Sequence, residues 1–128
     1  MRQRLQISVS LACLAVIFWG AGYARGRERL RQTDLHTVYQ QVNRESFGGE
    51  LPDVAVKWAE LPDDYGVVIF YPDGTTEIEI DRASVTSEEQ LLETMRHEAC
   101  HVQTHALVEA TGQDFHGEAF QTCMLRFK

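Results

Sequence analysis

One stretch constrains the fold of this chain more than any other: residues 86–110, which have the pattern of a long helix with two unlike faces. At about 100° per residue, His97 and His101 lie about 40° apart on one side of that helix. The apolar residues fall on the opposite side: Leu91, Leu92, Met95, Ala99, Val102 and Ala106. A helix with a single apolar stripe buries it against other elements. The rest of the chain must therefore supply a core for one face and leave the histidine face open to a cleft.

The patterns around this helix predict a small α+β domain over residues 32–128. A helix begins at Leu35 behind a Thr33-Asp34 cap and ends at Gly48-Gly49. Three strands follow, at residues 54–58, 67–71 and 76–80, with a hairpin turn at residues 72–74. A capping box at residues 86–89 opens the long helix, and a last helix spans residues 117–127. We expect about three strands of antiparallel type, packed against the long helix and two further helices.

The first 31 residues have a different composition and are expected to lie outside this domain. No charged residue occurs in residues 5–24, a length that suits a transmembrane helix or the apolar part of a signal peptide. Arg25, Arg27, Arg29 and Arg31 follow at once, which favours an uncleaved single-pass anchor. We expect the domain to lie outside the cytoplasm, in a periplasm or beyond it. Secretion after signal cleavage and a cytosol-facing domain are the alternatives.

Charge separates the two parts of the chain as well. Residues 1–31 contain six arginines and one glutamate, a net charge of +5, whereas residues 32–128 have a net charge of −12. Phosphate backbones repel so acidic a domain. We therefore expect no nucleic-acid partner, and we expect contact with a membrane through residues 5–24.

The segment His97-Glu98-Ala99-Cys100-His101 is an H-E-x-x-H motif. Two histidines four residues apart on a helix present their imidazoles to the same Zn²⁺ ion, about one helical turn apart. Glu98 flanks this ligand face and can act on water near the metal without binding the metal itself. The motif thus predicts a zinc site, with Glu98 as a general base.

A catalytic zinc site needs a third protein ligand, and three histidines are available. His36 starts the first helix, which is typical of a solvated polar residue. His105 lies on the motif face, but a straight helix does not easily wrap three consecutive turns around one ion. His116 follows the break at Thr111-Gly112, where a returning segment can face the helix.

The two cysteines of the domain, Cys100 and Cys123, allow two interpretations. They are small buried apolar residues, or they form one disulfide if the domain is extracytoplasmic.

Several motifs across residues 35–127 occur together in one known family. They are Tyr39, Asn43, Phe47 and Gly49-Glu50-Leu51-Pro52 around the first helix, Val56, Trp58 and Gly66 in the strands, Leu92-Glu93-Thr94 before the H-E-x-x-H motif, and His116-Gly117 with Phe120 after it. In these motifs the chain resembles the SprT-like zinc metalloprotease domain, which bacterial SprT proteins share with the protease domain of Spartan.

The resemblance implies roles for individual residues. His97, His101 and His116 correspond to the zinc ligands, Glu98 corresponds to the catalytic base, and His105 is not a ligand. The implied activity is that of a zinc metalloendopeptidase, a gluzincin-like hydrolase acting on protein or peptide substrates. A catalytically silent, zinc-stabilised binding module with the same fold is the alternative. The DNA-linked role of Spartan is not expected here, because the acidic domain shows no DNA-binding extension.

Overall fold

A computed structural model describes residues 25–128. The elements in chain order are α1 (residues 25–31), α2 (Leu35–Phe47), β1 (Ala55–Ala59), β2 (Gly66–Phe70), β3 (Thr76–Asp81), α3 (Glu88–Thr111), α4 (Glu118–Met124) and a 3-10 turn (Leu125–Phe127). The predicted α+β class is confirmed for this part of the chain. The apolar segment at residues 5–24 lies outside the described residues. Within residues 25–128, no helix has both the length and the apolar character needed to cross a membrane.

The three strands form one mixed sheet in the order β1-β3-β2. β3 pairs in parallel with β1 and antiparallel with β2, so the predicted antiparallel type is wrong for the β1–β3 pair. The cause is the position of the hairpin. β2 and β3 form a hairpin around the turn at residues 72–74, and it is β3, not β2, that pairs with β1. As a result β3 runs in the direction of β1 and becomes the central strand.

The alternation of side chains within the strands follows the prediction. Ile78 and Ile80 of β3 point into the core and are fully buried. Glu77 and Glu79 point away from it, and the Lys57 Nζ atom of β1 lies 2.8 Å and 3.2 Å from their carboxylates. The sheet therefore has one apolar face, against which the helices pack.

The helix ends described here are fixed by side-chain caps and by a glycine in the left-handed conformation. Asp34 accepts hydrogen bonds from the first turn of α2, and Gly48 ends that helix with a φ of 61°, as predicted. The capping box of α3 lies one residue later than predicted. Ser87 Oγ accepts from the Gln90 backbone N–H at 3.1 Å, and Gln90 Oε1 accepts from the Thr86 N–H at 2.9 Å.

The buried surface of helix α3 extends beyond its apolar face. The predicted core residues Leu91, Met95, Ala99 and Val102 are buried, Leu92 is partly buried, and Ala106 is exposed. Thr94, Glu98 and Cys100 are buried as well. Contact with α4 and β2 on the other side of α3 accounts for this additional burial.

One residue of the N-terminal part belongs to the core. Leu30 is buried in the same apolar cluster as α2 and α3, although residues 1–31 were expected to contribute nothing to the core. The domain boundary after residue 31 stays a prediction.

Candidate metal centre

The first two histidines of the cluster come from α3. His97 and His101 are one helical turn apart, and their Nε2 atoms lie 3.2 Å from each other. Both imidazoles are partly buried between α3 and the segment that follows it. The arrangement agrees with the pattern of the sequence, in which these residues share one face.

The third histidine comes from the connection between α3 and α4. Gly112, with a φ of 66°, ends α3 and lets the chain turn back. The His116 N–H then donates to Asp114 Oδ1 at 2.9 Å. Its Nε2 atom lies 3.1 Å from that of His101 and 3.3 Å from that of His97. The structure thus brings together the three histidines that the sequence analysis selected.

Gly117 allows this turn to close. Its N–H donates to the Asp114 carbonyl at 2.9 Å, and a Cβ atom at this position would lie only 2.9 Å from the same carbonyl oxygen. A side chain here would therefore displace the backbone beside His116.

Phe120 of α4 supports all three imidazoles. Its ring is 3% exposed and stacks on His101, with ring centres 4.5 Å apart and an interplanar angle of 24°. His97 and His116 meet the same ring edge-on, at 4.7 Å and 4.9 Å. The sequence analysis named Phe120 only as part of the family motif, and its contact with every candidate ligand goes beyond that.

The three nitrogen atoms fit a metal ion. Ligands at 2.0–2.1 Å from a tetrahedral zinc lie about 3.3 Å from one another, and the Nε2 atoms here are separated by 3.1–3.3 Å. Burial lowers the pKa of His97, and burial with the two neighbouring imidazoles lowers the pKa of His101 to about 4. Neutral imidazole is the form that binds metals. Within the described part of the chain, this is the group whose side chains are placed to hold an ion.

Glu98 lies beneath the start of β2 and outside the histidine cluster. It is 4% exposed, and a Cβ atom on Gly66 would lie 2.9 Å from its Oε1 atom. Burial, together with the negative charge of Asp64, raises the pKa of Glu98 to about 8. A bound cation would oppose this shift because it favours the charged carboxylate. The geometry provides a confined carboxyl group beside the three clustered histidines.

The contribution of Gly66 and Asp64 to the surroundings of Glu98 was missed in the sequence analysis. A glycine that opens a strand indicates a close approach of another group, and that signal was present in the sequence. No comparable signal pointed to Asp64, because its proximity depends on how the loop before β2 folds.

The other two histidines lie outside the cluster. His36 Nε2 contacts Asp53 Oδ1 at 2.6 Å, on the surface of α2. The His105 ring stacks on Phe70 with centres 3.4 Å apart, and its Nε2 atom lies 3.5 Å from Glu109.

Cys100 and Cys123 form a disulfide. It joins α3, between the two histidines of the motif, to α4, which bears Phe120. Of the two interpretations drawn from the sequence, the paired one agrees with the structure.

The comparisons with known proteins agree with this geometry. The model of the SprT-like family matches residues 35–128. That range includes every element from α2 onward, the three clustered histidines and Glu98. Curated protein sequences give no match to the chain.

Proposed function

Since the chain belongs to the SprT-like family, we propose that its domain is a zinc-dependent endopeptidase acting on protein or peptide substrates. One observation carries the proposal: three imidazole nitrogens lie within 3.3 Å of one another beside a buried carboxyl group. A structural zinc site is usually closed by four protein ligands, whereas a catalytic site has three. The set of three clustered histidines favours catalysis.

The chemistry divides between the ion and the protein. Zinc held by His97, His101 and His116 would supply a Lewis acid that polarises the peptide carbonyl and makes water nucleophilic near neutral pH. Glu98 takes the proton of the attacking water and later gives it to the departing amine. The backbone at Gly66 confines the Glu98 side chain during both transfers.

The sheet offers a place for the substrate backbone. β2 is an edge strand of the described sheet, and its residues line the cleft that contains the histidines. An extended peptide can pair with such an edge through main-chain hydrogen bonds. Residues 66–70 would then hold the peptide alongside Glu98 and the metal ligands.

We also propose that the domain acts outside the cytoplasm, anchored through residues 5–24. The disulfide supports this location, because such bonds persist in oxidising compartments and are rare in the cytosol. A topology reporter fused after Lys128 tests it. Signal from an extracytoplasmic reporter is expected, and signal from a cytosolic reporter would contradict the proposal.

Zinc binding and cleavage are tested together on the full chain. The wild-type protein should bind one zinc ion and cleave casein, and a chelator should stop the cleavage until zinc is restored. His116→Ala should lose the zinc, whereas His36→Gln, which changes a histidine outside the cluster, should retain it. Zinc binding without any cleavage would instead support the silent binding module.

A further inference from the structure

A cleft of about 350 Å³ adjoins the histidine cluster and extends along the C-terminal half of α3. One wall is formed by β2, and the other is formed by α3 from His97 to Val108. Away from the ligands its lining is mainly apolar: Val67, Val68, Phe70, Val108 and Phe115. A cavity of this size that opens onto a peptidase site can receive a side chain of the substrate.

Two stacked rings, one from each wall, are part of the lining of the cleft. Phe70 of β2 and His105 of α3 lie face to face, with centres 3.4 Å apart and an interplanar angle of 5°. Glu109 contacts the Nε2 atom of His105, and the ring is partly exposed. In the sequence analysis, His105 lay on the same helix face as His97 and His101 but had no assigned role. In the structure its ring forms part of the surface that a substrate would touch.

Phe115 forms the outer edge of the same cleft. Its side chain is 63% exposed, and it directly precedes the ligand His116. An exposed phenylalanine at the mouth of an apolar cleft gains contact area when an apolar group enters. Because Phe115 is bonded directly to His116, it lies next to the proposed metal site.

We propose that this cleft selects a large apolar or aromatic substrate side chain next to the peptide bond that is cleaved. The inference rests on the proposed function and names its specificity. Among the described lining residues there is no lysine or arginine. An acidic side chain in the apolar part of the cleft would therefore lose its hydration without meeting a basic side chain. Because of that lost hydration, we expect the domain to cleave poorly next to acidic residues. Because burial of an apolar side chain in the cleft is favourable, we expect it to cleave well next to large apolar ones.

The test uses one quenched peptide sequence with phenylalanine, leucine, alanine, lysine or aspartate in turn at each position flanking the cleaved bond. Mass spectrometry identifies the bond, and kcat/KM is measured for each peptide with the zinc-loaded full chain. On one side of the bond, phenylalanine or leucine should exceed alanine by about 10- to 100-fold, with aspartate lowest. Equal rates, or a preference for lysine or aspartate at both positions, would overturn the proposal.

Phe115→Ser assigns the preference to this cleft. The ratio of kcat/KM between the phenylalanine and alanine peptides should fall by about tenfold. Leu125→Ser is the matched control, because Leu125 is similarly exposed, at 59%, and does not line the cleft. A ratio unchanged by Phe115→Ser would contradict the assignment.

Binding separates this proposal from the proposed function. The same peptides are titrated into zinc-loaded Glu98→Gln protein by calorimetry. If no peptide is cleaved by the wild type, the endopeptidase proposal fails, while tighter binding of the phenylalanine peptide still supports the apolar cleft. Equal affinities for the phenylalanine, alanine and aspartate peptides would overturn the cleft.

Discussion

Individual residues set the distances in the site. Glycine at position 66 lets β2 approach the Glu98 side chain, and glycine at position 117 lets the turn before α4 close next to His116. Phe120 then supports all three imidazoles from below. The three clustered histidines and the Glu98 carboxyl group are thus positioned by glycine and phenylalanine neighbours that lie against them.

Gly66→Ala tests whether this approach matters for catalysis. The new Cβ atom would lie 2.8 Å from Thr94 Cγ2 and 2.9 Å from Glu98 Oε1, so the flexible carboxyl end has to move. A misplacement of about 1 Å at a reacting group costs about 100-fold in rate. We expect kcat on casein to fall by about that factor, while zinc content stays at one.

Gly26→Ala provides the control for this substitution. A Cβ atom at position 26 meets no atom within 4 Å. Its kcat should equal that of the wild type. A Gly66→Ala protein with full activity would show that the contact with Glu98 is not needed.

At the scale of elements, the disulfide holds α4 against α3. It closes a loop with a sequence separation of 23 that contains His101 and His116. A cross-link of this span stabilises a fold by about 3 kcal/mol. We expect the Cys100→Ala/Cys123→Ala protein to lose about that much free energy of unfolding in urea, and to bind zinc more weakly because Phe120 lies on α4.

Reduction of the wild-type protein is the matching measurement. A reductant should lower the midpoint of urea unfolding in the wild type and leave the double variant unchanged. Identical midpoints for the oxidised and reduced wild type would mean that the disulfide does not stabilise the α3–α4 pair.

Asp81, at the end of β3, joins two loops to the sheet. It is buried, and its carboxylate accepts from Leu61 N at 2.8 Å, from Ser84 N at 2.8 Å and from Ser84 Oγ at 2.6 Å. These hydrogen bonds, the one from the Ser84 side chain foremost, lower the pKa of Asp81 below 3.8. The stability they add is therefore complete above about pH 4, the pKa range of an unfolded aspartate.

Asp81→Asn is expected to cost about 2 kcal/mol of unfolding free energy at pH 7, because a charged acceptor of buried donors is lost. The difference from the wild type should shrink as the pH falls below 4, where the wild-type carboxylate gains a proton. Urea unfolding at pH 7, 5 and 3 measures it. A difference that is the same at all three pH values would contradict the role of the charge.

At the scale of the whole molecule, the sequence predicted the parts of the fold that depend on local chemistry. The caps at Asp34 and Gly48, the alternation in β3 and the shared face of His97 and His101 are all properties of short segments. The position of β3 between β1 and β2 was not predictable, because alternation within a strand does not identify its neighbours. The His105–Phe70 stack was missed for the same reason: it joins two residues that are 35 positions apart in the sequence and belong to different elements.

The site as a whole was more predictable than the sheet. The resemblance to the SprT-like family supplied His116, which no helical spacing links to His97, and the structure brings it within 3.3 Å. The extracytoplasmic location of the domain and its contact with a membrane through residues 5–24 stay predictions. The family match and the clustered histidines lie within residues 35–128, and the described residues before them add one buried side chain, Leu30, to the core.

The role of Glu98 is the most direct test of the account. Glu98→Gln preserves the size of the side chain and removes its ability to take a proton. The cleavage rate of casein by zinc-loaded Glu98→Gln, measured beside the wild type at equal zinc content, should be lower by about 100- to 10,000-fold. An unchanged rate with one zinc bound would contradict the central claim that this carboxyl group and the three-histidine centre together hydrolyse peptide bonds.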